Sequence, residues 1–208
     1  MSILWILGEA KSGKSELAEE IFARLPGKKF YIGTLPRTPR WMSTIKKHAA
    51  RRPKSWKLIE ITDNMDVATE LIRQSSKRET VSTLLDGWGV YLRRRALQRG
   101  EENVNVTMAD EMLFIDQIYA EYRRLVDVCH YLIVVEHISA KSPTPVDYKL
   151  DPVTWRVRTI VSRCIAEADK VIYHDIEDVS HKDKRYVERI ANEMIVCGSH
   201  MSAQTGFS

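Results

Sequence analysis

The sequence has few cysteines, and none of them is spaced as in a structural site. Among its 208 residues are only Cys129, Cys164 and Cys197, an odd number without C-x-x-C spacing. This pattern argues against a disulfide framework and against a zinc site. No apolar run approaches the ~20 residues that span a bilayer, and no positively charged start precedes the first apolar stretch. We therefore expect a cytoplasmic protein without a membrane span.

The chain also lacks a large excess of charge of either sign. Its 32 Lys and Arg residues against 28 Asp and Glu residues leave a formal net charge of +4, too small over the whole chain to indicate a nucleic-acid or membrane binder. There is no internal repeat and no low-complexity linker. A chain of this length suits one α/β domain, which we expect over residues 1–197. Residues 198–208 are small, polar and aperiodic, and predict a flexible C-terminal tail.

Short apolar runs alternate with segments of helical period along the chain. The apolar runs predict strands at residues 3–7, 30–32, 56–61, 81–85, 131–135 and 171–173. The periodic segments predict helices at residues 15–25, 41–50, 63–74, 90–98, 107–128 and 182–195. Such β–α alternation predicts a three-layer α/β sandwich, in which helices cover both faces of a mainly parallel sheet.

The strongest chemical signal is a match to the phosphate-binding motif G-x-x-x-x-G-K-[ST]. It consists of Gly8, Glu9, Ala10, Lys11, Ser12, Gly13, Lys14 and Ser15. In such a loop the backbone N–H groups and the following helix N-terminus surround a phosphate, and the lysine reaches the β- and γ-phosphates. Here the motif follows an apolar strand and opens an amphipathic helix, so we expect a P-loop NTPase-like fold that binds a nucleotide, with Lys14 in a catalytic role.

A phosphate-binding loop of this type needs a metal, normally Mg²⁺, held by the loop hydroxyl and a second carboxylate. Asp86 ends the predicted strand at residues 81–85 and fits that place, with Ser15 as the other ligand. An ordinary aspartate at the start of the next helix is the alternative interpretation. Asp175, which follows the predicted strand at residues 171–173, is a weaker candidate for the metal.

One segment concentrates the positive charge. Residues 37–57 contain eight Lys or Arg residues, no Asp or Glu, and His48. This segment could be a solvated helix face, a nucleic-acid patch, or a site where a nucleotide phosphate is held for attack by the imidazole. Neutral histidine is a competent nucleophile toward phosphorus, and neighbouring guanidinium groups stabilise the charge that develops on phosphoryl oxygens. Composition alone favours the solvated face.

The order of residues beyond the loop favours the third interpretation. After residues 31–34, which read Tyr-Ile-Gly-Thr, come Met42, Ile45, His48, Arg51, Arg52, Pro53, Trp56 and Glu60, and later Asp86 followed by Tyr91 and Leu92. Together with the loop, this order resembles the adenosylcobinamide kinase/adenosylcobinamide-phosphate guanylyltransferase family of cobalamin biosynthesis. The resemblance covers residues 2–173.

The resemblance implies a bifunctional enzyme. It phosphorylates the aminopropanol hydroxyl of adenosylcobinamide with ATP or GTP, and then transfers GMP from GTP to the new phosphate through a guanylylated histidine, here His48. Nucleotide contacts are implied for residues 8–15 and for Gly33, Thr34, Leu35, Ala49, Ala50, Arg51, Arg52, Glu60 and Asp86. A homotrimer is implied too, with the corrinoid as small-molecule partner and no nucleic acid.

The chain departs from the family pattern at several places. Ala49 stands where the family has Arg, residues 136–140 replace Ser-Asn-Glu-Val-Gly, and residues 160–162 replace Leu-Asn-Gln. The last two lie outside the phosphate-binding residues, and they concern the corrinoid and the kinase step. Two alternatives therefore stay open, a small-molecule kinase of other specificity and a GTP-binding paralogue without full activity. A nucleic-acid binder is the least favoured.

Overall fold

A computed structural model describes residues 1–61, 63–102, 107–137, 151–174 and 183–204 of the chain. The strands in this part are β1 Ser2–Gly8, β2 Lys28–Gly33, β3 Lys57–Glu60, β4 Val81–Asp86, β5 Tyr131–His137 and β6 Lys170–Tyr173. The helices are α1 Lys14–Arg24, α2 Pro39–Arg51, α3 Asp66–Ser76, α4 Trp88–Glu102, α5 Met108–Val126, α6 Pro152–Ile165 and α7 Lys184–Gln204. Elements of both kinds alternate, as the sequence predicts.

The six strands form one sheet in the order β3-β2-β4-β5-β1-β6, and each neighbouring pair is parallel. The predicted parallel sheet is therefore confirmed. β1 and β5 lie inside the sheet and are buried on both faces, which explains why they are continuous apolar runs and do not alternate with polar residues.

Two apolar clusters pack against opposite faces of the sheet. Along β1, Ile3, Trp5 and Leu7 join the cluster formed with α3, α4, α5 and α6. Leu4 and Ile6 join the cluster formed with α1 and α7. The period of two along the strand therefore produces three layers, helices on each face of a central sheet.

Several helix ends differ from the sequence prediction. α3 begins at Asp66, whose backbone N–H donates to Asn64 Oδ1 over 2.7 Å, so Asn64 precedes the helix as a polar partner. Thr107 and Asp110 form a reciprocal capping box that sets the start of α5. α6 begins after Asp151, whose side chain accepts from Thr154 N. The sequence pattern predicts no helix at the position of α6.

The last helix extends further than the sequence predicts. α7 continues to Gln204, so residues 198–204 are helical where the sequence predicted a flexible tail. These residues lack an apolar period, but Gly198 lies against the Tyr131 ring, where a Cβ would come within 2.7 Å of a ring carbon. The longer helix therefore packs closely on β5, a contact that the period of the sequence does not indicate. Residues 205–208 lie outside the described residues.

Candidate functional site

The predicted site residues meet at the carboxyl edge of the sheet. Gly33 at the end of β2 is the register partner of Glu60 on β3 and of Asp86 on β4. On the other side, Gly8 at the end of β1 is the partner of His137 on β5. Since carboxyl ends of parallel strands lie at one edge, residues far apart in sequence share one crevice, where open α/β sheets bind ligands.

The loop between β1 and α1 has the backbone of a phosphate cradle. Lys11 has φ 64° and Gly13, at the N-cap of α1, has φ 91°, both in the left-handed region. A Cβ on Gly8 would lie 2.2 Å from the carbonyl oxygen of His174, so only glycine fits there. With this loop after β1, the fold is the P-loop NTPase-like α/β sandwich that the sequence predicted.

Two side chains of the loop face inward. Lys14 Nζ donates to the carbonyl oxygen of Glu9 over 2.8 Å. Burial lowers the pKa of Lys14, and the charges of Asp86 and Glu136 act against that shift. The buried Ser12 hydroxyl has no hydrogen-bond partner among the described residues. Both groups are therefore placed to bind an anion.

Asp86 is the centre of a side-chain network. Its Oδ1 accepts from the Ser15 hydroxyl over 3.4 Å, while Oδ2 accepts from the Tyr31 hydroxyl and lies 3.3 Å from His48 Nδ1. Burial by itself would raise the pKa of Asp86, but the hydrogen bonds from His48 and Tyr31 and the charge of Arg52 hold it below its usual value. Asp86 is therefore a carboxylate at neutral pH.

The basic helix α2 is held to the body by polar contacts. No residue of α2 is buried. Arg51 pairs with Glu16 and Glu19 on α1, and Arg52 Nε lies 3.5 Å from Glu19 Oε1. The Arg52 guanidinium also stacks 3.4 Å from the centre of the Tyr31 ring. These contacts bring the C-terminal turn of α2 against the helix that follows the phosphate-binding loop.

A pocket next to this network gathers most of the residues that the resemblance had pointed to outside the loop. Its lining includes Gly33, Thr34, Leu35, His48, Arg52, Glu60 and Asp86, together with Tyr31, Ile45 and Leu58. Glu60 accepts from Arg37 over 2.8 Å at its rim, and the Thr34 hydroxyl donates to the carbonyl oxygen of Gly87 over 2.5 Å. Ala49 and Ala50 are exposed on α2 and do not line the pocket.

Glu136 is a buried carboxyl group at the same edge, only 4% exposed. It follows Val135, the register partner of Asp86, and it pairs in register with Leu7 just before the loop. One oxygen accepts from the Gly89 backbone N–H at the start of α4. Burial raises the pKa of Glu136 to about 7, although the Gly89 hydrogen bond and the Lys14 charge lower it.

Sequence reasoning gave no role to Tyr31, Glu16 or Glu19. Burial and the neighbouring Asp86 charge raise the pKa of Tyr31 well above its usual range, so its hydroxyl stays protonated and donates to Asp86. Two carboxylates three positions apart on α1 are a recognisable helical pair, but no local pattern connects them to Arg51. Asp175, the other metal candidate, lies outside the described residues.

Comparison with known families identifies the chain. The profile of the cobinamide kinase / cobinamide phosphate guanyltransferase family matches residues 4–136, which include the loop, His48 and Asp86. The chain belongs to this family. The cobinamide kinase / cobinamide phosphate guanyltransferase family is an enzyme family of cobalamin biosynthesis, and its two activities are phosphorylation and guanylyl transfer.

Two solved structures similar to the chain are distant from it in sequence. The assembled ATPase EscN of the enteropathogenic E. coli type III secretion system is 14% identical, with a TM-score of 0.48, covering 76% of this chain and 41% of that one. A prototypical type III secretion ATPase of pathogenic bacteria is 14% identical, with a TM-score of 0.45, covering 76% and 49%. The chain thus spans less than half the length of either.

No curated protein matches it. None of the described helices has the length and apolar character to cross a membrane.

Proposed function

We propose that this member of the family carries out both family reactions at the edge described above. In the first, it phosphorylates the hydroxyl of adenosylcobinamide with ATP or GTP. In the second, it transfers GMP from GTP to adenosylcobinamide phosphate through a guanylylated His48. We further propose that it works as a homotrimer, which a light-scattering mass three times that of one chain would support.

One observation carries the proposal: His48 shares a side-chain network with the phosphate-binding loop. Its Nδ1 lies 3.3 Å from Asp86 Oδ2, and Asp86 Oδ1 accepts from the Ser15 hydroxyl at the start of α1. A histidine on a solvated helix face would point toward water, whereas the His48 side chain points toward this carboxylate. The His48 side chain is 16% exposed, so a substrate phosphate can reach it.

The loop fits a nucleotide and its metal. A phosphate oxygen would give the buried Ser12 hydroxyl the partner it lacks among the described residues. The Ser15 hydroxyl and the Asp86 carboxylate are two hard oxygen donors side by side, the donor type that Mg²⁺ takes together with waters and substrate phosphates. Ser15 and Asp86 would hold the metal, which would neutralise charge on the phosphates.

In the first reaction the corrinoid hydroxyl oxygen forms a bond to the γ-phosphorus as the bond to the β-phosphate oxygen breaks. ADP or GDP leaves, and the hydroxyl proton passes to solvent or a nearby base. Lys14 would bind the transferred group: its ammonium donates to the Glu9 carbonyl oxygen inside the loop, and its charge would offset the charge that develops on the phosphoryl oxygens.

In the second reaction the imidazole of His48 attacks the α-phosphorus of GTP. An N–P bond forms, the bond from the α-phosphorus to the β-phosphate oxygen breaks, and pyrophosphate leaves. A phosphate oxygen of adenosylcobinamide phosphate then displaces the imidazole and forms the pyrophosphate bond of the product. Arg51 ends α2 and Arg52 follows it directly, so their guanidinium groups would lie near the charge on the transferred group.

Labelled GTP tests the proposal directly. Incubation with GTP labelled at the α-phosphate and Mg²⁺ should leave acid-labile label on the protein, and adenosylcobinamide phosphate should remove it. The His48→Ala variant should carry no label. Label at the γ-phosphate should instead appear on the corrinoid in the first reaction and never on the protein.

Another histidine provides a matched control. His137 is exposed at the carboxyl end of β5, next to the loop in register, and His137→Ala should keep full labelling. Label that survives His48→Ala, or no labelled protein at all while both products form, would remove the histidine mechanism. A protein that binds GTP but forms neither product would support the inactive paralogue.

A further inference from the structure

The structure shows which nitrogen of His48 faces Asp86. Nδ1 lies 3.3 Å from Asp86 Oδ2, an oxygen that also accepts from the Tyr31 hydroxyl. A neutral imidazole carries one N–H and one lone pair, and the partner of one nitrogen decides the state of the other. Because Nδ1 faces a carboxylate oxygen, which only accepts, the neutral ring would carry its proton on Nδ1 and its lone pair on Nε2.

We propose that Asp86 is a positioning residue for guanylyl transfer, holding His48 in the Nδ1–H form so that GMP becomes bonded to Nε2. This inference rests on the proposed function, since it requires His48 to be the nucleophile. It goes further by assigning the reacting atom and by giving Asp86 a second role besides its proposed contact with the metal.

The electron and proton balance suits this arrangement. The Nε2 lone pair forms the bond to the α-phosphorus, and the pyrophosphate oxygen takes the electron pair of the bond that breaks. The Nδ1 proton stays on the ring, which becomes positively charged, and the Asp86 carboxylate lies beside that charge. When the corrinoid phosphate displaces Nε2, the ring returns to its neutral form without gaining or losing a proton.

The two oxygens of Asp86 face different partners. Oδ1 accepts from Ser15, and Oδ2 faces His48 and Tyr31. The contact with His48 therefore uses a different oxygen of Asp86 from the contact with Ser15, the other residue that would hold the metal. The buried Tyr31 hydroxyl donates to Oδ2 as well, and the Arg52 guanidinium stacks on the Tyr31 ring, so both residues help to hold the carboxylate in its orientation.

Nuclear magnetic resonance on the whole protein with ¹⁵N-labelled histidine tests the inference. Long-range ¹H–¹⁵N correlation in the free protein should show His48 in the Nδ1–H form. After incubation with GTP and Mg²⁺ without corrinoid, ¹⁵N–³¹P coupling should appear at Nε2. An adduct at Nδ1, or an Nε2–H form in the free protein, would overturn this inference and leave the proposed function intact. Absence of any adduct would instead remove the proposed function itself.

The Asp86→Asn variant separates positioning from folding. An amide can donate to Nδ1, so we expect a mixture of the two ring forms and adduct formation slowed roughly tenfold or more at saturating Mg²⁺ and GTP. GTP binding measured without divalent cations should change less than threefold. Asp66→Asn, at an exposed position at the start of α3, is the matched control and should leave the His48 signals and the rate unchanged. An unaltered ring form in Asp86→Asn would contradict the role of Asp86.

Discussion

The free energy of unfolding of a Glu136→Gln variant, compared with that of the natural protein, should increase as the pH rises. Burial raises the pKa of this carboxyl group from 4.5 to about 7. Between these values the folded protein keeps a proton that the unfolded chain releases, so the free energy of unfolding of the natural protein falls as pH increases. The full shift corresponds to roughly 3 kcal/mol, reached slightly above pH 7.

Glutamine removes the titration and keeps much of the geometry. Its side-chain oxygen can still accept from the Gly89 N–H, as the Glu136 carboxylate does. Its NH₂ group enters a buried position, which costs about 1–2 kcal/mol at every pH. The informative quantity is therefore the change of the stability difference with pH. That difference should move in favour of Glu136→Gln by roughly 3 kcal/mol between pH 4.5 and pH 8.

Urea unfolding in buffers from pH 4.5 to 8.5, without nucleotide or divalent cations, measures this difference. Glu188→Gln on the exposed face of α7 is the matched control, and its stability difference should stay within about 0.5 kcal/mol at each pH. If the curves for Glu136→Gln and the natural protein run parallel across this range, the reasoning from burial is refuted.

Two further changes test packing around α4 and α6. Glu111→Gln breaks its buried ion pair with Arg156 and should lower the free energy of unfolding by roughly 3–5 kcal/mol, measured by urea unfolding. Adding Arg156→Met should restore most of this loss, whereas a loss below about 1 kcal/mol for Glu111→Gln would contradict the ion-pair role. Gly89→Ala places a Cβ 2.0 Å from Glu136 Oε1 and should cost about 2 kcal/mol or more. Combining it with Glu136→Ala should relieve much of that cost, and strictly additive losses would argue against the clash.

The strands and most helices could be predicted because their signals are local. The apolar run of β1 and the helical stripe of α1 depend on residues a few positions apart, and the glycines of the loop between them are required by its backbone. Helix ends were less predictable. The start of α3 and the extent of α7 depend on polar partners and packing outside the helix itself.

The order of the strands was not predictable in the same way. Periodicity indicates a parallel sheet but does not say which strands are neighbours, and β5 lies between β1 and β4. This placement buries Glu136 beside the loop and Asp86, and the burial raises the pKa of Glu136. The altered residue at 136 could be noticed in the sequence, but its buried environment could not.

The sequence by itself determined the phosphate-binding loop, the candidate nucleophile His48 and the carboxylate Asp86. Only the tertiary structure decided that these groups meet. Tyr31 and Ser15 lie 55 and 71 positions from Asp86, yet each donates to one of its two oxygens. Local patterns follow from the geometry of single strands and helices, whereas these contacts depend on the pairing of distant strands and on the docking of α2. α2 is docked by side chains such as Arg51, whose partners on α1 cannot be predicted from a local pattern.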